Sequence, residues 1–143
     1  MEEIQKNKTL VIRNDIEELN RLALFLETLE EEWMLPPGLA PSINLALEEA
    51  LSNVIFYAFE KGTVNEITVN FGLNGKEIAI VVSDGGKPYD PLQKEDPDIS
   101  LSAEERPIGG LGIFLIKQIM DEVSYQRANN KNQLTMVKRW GAS

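Results

Sequence analysis

The sequence contains no histidine and no cysteine among its 143 residues. Without cysteine there are no disulfides, no thiolate metal ligands and no thiol nucleophile. Without histidine there is no Ser-His-Asp triad, no imidazole-bound zinc and no phosphohistidine, so acid–base chemistry falls to Asp, Glu, Lys or Tyr. Long apolar runs are lacking too, since none approaches the roughly 18–20 residues of a membrane span. These absences argue against a thiol enzyme, a zinc enzyme and a membrane protein.

Positive charge is also scarce. Fourteen basic residues stand against 23 acidic ones, which gives a formal net charge of −9. A charge of that sign opposes binding to nucleic-acid phosphates and to anionic lipid surfaces. The acidic excess lies before residue 117, and both a solvated surface and a docking face for a basic partner would explain it. Residues 1–8 lack the apolar segment of a signal peptide, so we expect a cytoplasmic protein.

The hydrophobic periodicity predicts helices early in the chain and strand hairpins later. Helical spacing of apolar residues indicates helices over about 14–35, 41–60 and 110–121. Alternation and β-branched residues indicate strands at 8–13, 67–71, 77–83, 122–128 and 132–140, with Asn74-Gly75 as a strong hairpin signal. This order predicts a single α+β domain over residues 1–143, a two-layer sandwich with a mostly antiparallel sheet.

The first candidate site lies on the second predicted helix. Glu49, Asn53 and Tyr57 are spaced four apart, so they stack in one row beside the apolar face. A carboxylate and an amide oxygen one turn apart can hold a water and a Mg²⁺ ion, which prefers oxygen ligands. Taken alone, the pair is better explained as a solvated Glu and a tolerated Asn.

The second candidate site follows the apolar strand at 77–83, which delivers Asp84 into a Gly85-Gly86 turn. A carboxylate at that strand end can accept a hydrogen bond from an exocyclic amine. A neighbouring glycine lets a planar ring approach the backbone. A plain Asp-Gly turn is the simpler alternative.

The third candidate site is the glycine-rich start of the last predicted helix, Gly109-Gly-Leu-Gly112. The free N–H groups and the dipole at a helix N-terminus bind phosphate. The segment lacks the Gly-Lys-Ser/Thr of a P-loop and does not directly follow a strand. It therefore matches neither the P-loop nor the dinucleotide-binding fingerprint.

Taken together, the three motifs resemble the N, G1 and G2 boxes of the GHKL (Bergerat) ATP-binding fold of gyrase, Hsp90, histidine kinases and MutL. The chain is most similar to the small anti-sigma-factor serine/threonine kinases, which carry a histidine-kinase-like ATPase domain. The strongest matches are Glu49-Ala-Leu-Ser-Asn53, Asp84-Gly-Gly-Lys-Pro-Tyr-Asp90 and Gly109-Gly-Leu-Gly-Ile-Phe-Leu-Ile116. Met120-Asp121 and the closing segment 132–138 also fit the family pattern.

The resemblance implies roles for the residues of the first two motifs. Glu49 corresponds to the catalytic general base that activates the attacking hydroxyl, and Asn53 to the Mg²⁺ ligand. Asp84 would accept a hydrogen bond from the adenine amino group of ATP, and Gly86 would admit the ring. The family often has His shortly after the N-box Asn, whereas this chain has Tyr57, which would pack against the nucleotide or the core.

The resemblance also implies roles in the second half of the chain. Gly110, Leu111 and Gly112 would wrap the phosphates at the helix start. Residues of about 91–109 would form a lid over the nucleotide, with Arg106 as a candidate phosphate contact. Thr135 would add a hydroxyl near the adenine.

The leading functional prediction is an anti-sigma factor with Mg-ATP-dependent serine/threonine kinase activity. Such a protein would hold a sigma factor, phosphorylate a STAS-type anti-anti-sigma partner and form a homodimer, with no direct contact to nucleic acid. The absence of histidine favours this branch over a true histidine kinase. A non-catalytic nucleotide-dependent switch is the alternative, since it needs the same pocket. A third reading is an α+β interaction domain without nucleotide.

Overall fold

The structure is a computed structural model that describes residues 5–93 and 110–141. Those ranges contain strands and helices in the order that the sequence predicts, so the α+β class is confirmed. The strands are β1 (Gln5–Arg13), β2 (Glu66–Asn74), β3 (Glu77–Asp84), β4 (Glu122–Ala128) and β5 (Lys131–Arg139). The helices are α1 (Leu19–Glu32), α2 (Leu39–Tyr57) and α3 (Gly110–Ile119). Short 3₁₀ turns cover Ile16–Glu18 and Pro91–Gln93.

Across the described ranges, the strands form one sheet in the order β1-β2-β3-β5-β4, and every neighbouring pair is antiparallel. Two tight turns make its hairpins. Gly75 has a φ of 62° in the β2–β3 turn, and Asn129 and Asn130 have φ values of 53° and 62° in the β4–β5 turn. Glycine and asparagine tolerate this left-handed backbone, which matches the twist of the strands they join. Both predicted hairpins are therefore confirmed.

One face of the sheet is apolar and packs against the helices. Along β3 and β5 every second residue is buried, as expected for a half-buried strand. The buried series on these two strands are Ile78, Ile80, Val82 and Asp84, and Asn132, Leu134 and Met136. Asp84 and Asn132 are thus polar residues in phase with the core, and they are directly opposite each other in the strand register.

Helix α2 supplies the centre of the helical layer, and it contacts both α1 and α3. Its predicted apolar face is confirmed, because Ile43, Leu47, Ala50, Leu51 and Val54 are all buried. The helix ends at Tyr57, three residues before the predicted end, and the Ala58 N–H then donates to the Val54 carbonyl. This earlier end leaves the Ala58 carbonyl available to the loop after β3.

None of the helices in the described ranges combines the length and apolar character needed to cross a membrane.

A charged clamp holds the start of α1 against β1. The Glu18 carboxylate accepts a hydrogen bond from the Arg13 backbone N–H at 3.0 Å and pairs with the Arg21 guanidinium at 3.3 Å. The Arg13 N–H and the Arg21 side chain hold the pKa of Glu18 below its ordinary value of 4.5, although desolvation opposes them. A carboxyl whose pKa is lowered by folding stabilises the fold above its unfolded pKa, and the stabilisation disappears as pH falls through the folded pKa.

We expect Glu18→Gln to lower the melting temperature at neutral pH, because it removes the charge that the two arginines face. The difference from wild type should shrink as pH falls below about 4.5, where the unfolded carboxyl is protonated. Thermal denaturation over a pH series measures this. Glu17→Gln is the matched control, since Glu17 is the exposed neighbour. A wild-type advantage that stayed constant down to strongly acid pH would contradict this account of the clamp.

Candidate functional site

Glu49 and Asn53 lie one turn apart on α2, and Glu49 faces the start of α3. Glu49 is half-buried and Asn53 is only 3% exposed. The Asn53 Nδ2 donates to the Glu49 backbone carbonyl at 2.9 Å, one helical turn back. This bond fixes the direction of the amide, so the Oδ1 atom points away from the helix backbone.

The Asn53 Oδ1 is buried and makes no hydrogen bond with any described residue. An unpaired buried carbonyl oxygen is costly, and native proteins usually provide it with a partner. An oxygen ligand beside a carboxylate matches the hard-ligand preference of Mg²⁺. The donor set of Asn53 with Glu49 one turn away therefore fits a magnesium ion carried in with a nucleotide.

Helix α3 begins against the Glu49 carboxylate. A Cβ added at Gly112 would lie 2.5 Å from Glu49 Oε2 and 3.4 Å from Glu49 Cβ. A side chain at this position would displace the carboxylate, whereas glycine lets it lie against the first turn of α3. The positive end of a helix dipole stabilises an anion at that place. The predicted phosphate-binding turn, Gly110 to Gly112, thus lies beside the predicted general base.

Asp84 occupies the end of β3 on the helix-facing side and is 3% exposed. Its Oδ1 accepts hydrogen bonds from the Gly86 backbone N–H at 2.9 Å and from Asn132 Nδ2 at 3.0 Å. Among the described residues, both hydrogen bonds of this carboxylate end on Oδ1. The Oδ2 atom is therefore the oxygen that a ligand amine would meet.

The loop after β3 packs directly on the end of α2. A Cβ added at Gly86 would lie 2.3 Å from the Ala58 carbonyl oxygen, a backbone atom that cannot turn aside. The next residue, Lys87, donates its backbone N–H to that same oxygen at 2.9 Å. Gly86 therefore permits the contact that brings the Asp84 strand end and the N-box helix together.

The placement of Thr135 corrects the sequence analysis. Thr135 is paired with Val81, and it lies three residues after Asn132 on β5. Side chains alternate between the two faces of a strand. Thr135 is therefore on the face away from the helices, and its predicted position beside the adenine is wrong. The β5 residue that lies next to Asp84 on the helix-facing side is Asn132.

Asn132 is a site residue that the sequence analysis did not assign, although it lay within the matching segment 132–138. A usable signal was present, because Asn132 shares the even spacing of the apolar residues Leu134 and Met136. A polar residue in phase with a buried series must be paired inside the protein.

Two further contacts hold the same loop. The Arg127 Nη1 on β4 donates to the Gly86 carbonyl at 2.8 Å. Tyr57, at the end of α2, stacks on Tyr89 of the loop with ring centroids 5.4 Å apart and an interplanar angle of 21°. Tyr89 is a half-buried loop residue and not part of the core, so both alternatives for Tyr57 remain predictions.

A cleft of about 610 Å³ borders this loop on the side of Phe56, Phe59 and Thr63, with Gly85 to Lys87 on its wall. Asn53 and Asp84 do not line it within the described part of the chain. The cleft therefore shares Gly86 with the candidate site but includes neither the Asn53 nor the Asp84 side chain.

Part of the predicted site lies outside the described residues. This applies to Arg106 and to most of the predicted lid, residues 94–109. Gly110 and Leu111 are described as the first residues of α3, and their predicted phosphate contacts remain predictions.

Comparison with known proteins gives the class of this fold. The histidine kinase-like ATPase domain family matches residues 12–138. The chain belongs to this family. The RsbU and RsbW domains of Rv1364c from Mycobacterium tuberculosis share the fold, with a TM-score of 0.67 and 13% identity over 94% of this chain and 32% of that one.

Similar curated proteins narrow the resemblance. The serine/threonine-protein kinase BtrW of Bordetella bronchiseptica is 32% identical over 96 residues, which cover 67% of this chain and 68% of that protein. The serine-protein kinase RsbW of Listeria monocytogenes is 34% identical over 85 residues, 57% of this chain and 54% of that protein. The chain thus matches about half to two thirds of the length of these relatives. The predicted resemblance to serine/threonine protein kinases with a histidine-kinase-like ATPase domain is confirmed.

We expect Gly86→Ala to destabilise the fold by about 1–3 kcal/mol, because the new methyl group collides with the Ala58 backbone. The loop would move away from α2, and nucleotide affinity should fall with it. Gly85→Ala is the matched control, since a Cβ there meets nothing within 4 Å and the backbone has no positive φ. Chemical denaturation of the two variants measures the difference. Equal stability of the two would show that the close approach is not a constraint.

Proposed function

We propose that this chain is an ATP-dependent serine/threonine protein kinase that also acts as an anti-sigma factor. The observation that carries the proposal is the unpaired, buried Asn53 Oδ1 one turn from Glu49, with Gly112 of α3 against the same carboxylate. The similarity to BtrW and RsbW, both named protein kinases, supports it. The three motifs resemble those of the small anti-sigma-factor kinases, and this resemblance supports the same function for this chain.

The proposed nucleotide site has two ends, one that would bind the adenine and one that would bind the phosphates. At the adenine end, Asp84 Oδ2 would accept a hydrogen bond from the adenine amino group. The backbone of Gly86, whose Cβ side is filled by Ala58, would lie beside the ring. At the phosphate end, the first turn of α3 offers N–H groups to the oxygens. Leu111 belongs to this turn through its backbone, and Arg106 of the lid would add a positive charge. Together these groups favour ATP over a smaller anion.

The same residues supply what phosphoryl transfer needs from a protein. Asn53 would ligate Mg²⁺ through Oδ1, and the ion when bound neutralises charge on the transferred phosphate and orients it. The Glu49 carboxylate is the base that takes the proton from the attacking Ser or Thr hydroxyl. Since the chain contains no histidine, a carboxylate is the expected base for a hydroxyl acceptor.

The partners follow from the family to which the chain is similar. We propose a sigma factor held on one surface and a STAS-type anti-anti-sigma protein as the phosphate acceptor, with the kinase acting as a homodimer in the cytoplasm. The net charge of −9 supports protein partners and argues against direct binding to nucleic acid. Residues 1–143 would act as one domain, with the lid at about 91–109.

We expect Glu49→Gln to reduce phosphoryl transfer by about 10²–10⁴-fold, because the amide cannot take the proton. ATP affinity should stay near wild type, since the adenine and phosphate contacts remain. Transfer of label from γ-labelled ATP to a Ser or Thr of a candidate anti-anti-sigma protein measures the first effect, and calorimetric titration measures the second.

The matched control is Glu48→Gln on the same helix. Glu48 Oε1 accepts a hydrogen bond from Asn44 Nδ2 at 3.0 Å, and a glutamine oxygen can accept it too. This variant should retain transfer. Loss of transfer in both variants would contradict the assignment of Glu49. Nucleotide binding by the wild type without any transfer to partner would favour the non-catalytic switch.

We expect Asp84→Asn to weaken ATP binding by about tenfold or more, because the variant replaces the charged acceptor of the adenine amino group with a neutral amide. Asp121→Asn is the control. Asp121 accepts from the Arg139 backbone N–H at the opposite end of the sheet, at 2.6 Å, and its variant should bind ATP normally. Unchanged ATP affinity in Asp84→Asn, measured by titration calorimetry, would remove Asp84 from the adenine site.

A further inference from the structure

Asn132 forms a buried polar network between the sheet and the loop that follows β3. It is 4% exposed. Its Nδ2 donates to Asp84 Oδ1 at 3.0 Å and to the Lys87 carbonyl at 2.8 Å. Its Oδ1 accepts from the Tyr89 backbone N–H at 3.1 Å and from the Tyr125 hydroxyl. One side chain thus connects β3, β4 and the loop.

The amide of Asn132 is saturated by these contacts. An asparagine amide has two N–H donors and an oxygen with two lone pairs, and all four are used within the protein. A flipped amide would set its oxygen against Asp84 Oδ1 and its NH₂ against the Tyr89 N–H. The orientation is therefore fixed, and Asn132 has no capacity left for a direct bond to a ligand.

The consequence falls on Asp84. Its Oδ1 has two donors, the Gly86 N–H and Asn132 Nδ2, and they lock the plane of the carboxylate. We propose that Asn132 is the positioning residue that aims Asp84 Oδ2 at the exocyclic amino group of the base, and that it thereby sets the preference for adenine. This inference rests on the proposed function, because it concerns the adenine-binding end of the same nucleotide site.

A variant of this network can weaken nucleotide binding in two ways, and the two can be told apart by experiment. General disturbance of the loop lowers affinity for every nucleotide alike. Misdirection of Asp84 lowers affinity only where an amino group is present to be recognised. The ratio of affinities for two nucleotides that differ only in this amino group therefore reports positioning, and a merely structural role leaves it unchanged.

The experiment compares ADP with purine riboside 5′-diphosphate, which lacks the 6-amino group, by titration calorimetry on the whole chain. Wild type should prefer ADP by about tenfold or more, as expected for a hydrogen bond to a charged group. Asn132→Asp keeps the shape but turns a carboxylate oxygen towards Asp84. We expect the preference to drop to about threefold or less. Two facing carboxylates share a proton, which changes the acceptor as well as its direction. The ratio in Asn132→Asp is therefore interpreted together with that in Tyr125→Phe, which adds no charge.

Two further variants complete the test. Tyr125→Phe removes one donor to Asn132 Oδ1, so the preference for ADP should fall in the same direction by a smaller factor. It decides the question if Asn132→Asp does not fold. Thr135→Val, on the same strand but the opposite face, should retain wild-type affinities and ratio.

The outcomes separate this inference from the proposed function. A wild-type ratio kept by both Asn132→Asp and Tyr125→Phe would overturn the positioning role, even if both affinities fell. Wild-type chain that bound neither diphosphate, or bound both equally, would overturn the adenine site itself and this inference with it.

Discussion

The buried carboxylate of Asp84 is the constraint on which the candidate site depends. A charged group at the end of a strand, 3% exposed and on the core side of the sheet, is costly unless donors surround it. The Gly86 N–H and the Asn132 amide supply those donors. Because the Gly86 N–H donates to Asp84 and the next N–H, that of Lys87, donates to the Ala58 carbonyl, the loop lies on the end of α2. The adenine-binding end of the proposed site is thus arranged around the hydrogen-bond donors that the Asp84 carboxylate requires.

The phosphate end follows from a second close approach, between α2 and α3. Gly112 lets the first turn of α3 lie on the Glu49 carboxylate, and Asn53 presents its unpaired oxygen one turn further along α2. Both ends of the site therefore depend on the same helix, whose opposite face is the centre of the core. For a strongly acidic chain to bind a polyphosphate here, as proposed, backbone dipoles and a metal ion would have to provide the local positive charge.

Much of this could be predicted from the sequence, for physical reasons. Periodic apolar residues and the turn preferences of Gly and Asn are local signals, so the elements, the hairpins and the buried face of α2 were predicted correctly. The side of the sheet occupied by a given β5 residue depends on its phase relative to the core, and Thr135 was assigned without that check. The phase of Asn132 signals its burial, but three of its four partners lie more than 40 residues away along the chain, and no local pattern encodes them.

The central claim is that these residues form an adenine-nucleotide site, and the most direct test is thermal denaturation with Mg-ADP and with Mg-CDP. Ligand at 100 times its dissociation constant should stabilise the fold by about 2.7 kcal/mol. A site selective for adenine predicts a clear rise in melting temperature with Mg-ADP and little or none with Mg-CDP. An unchanged melting temperature at millimolar Mg-ADP, or an equal rise with both nucleotides, would contradict it.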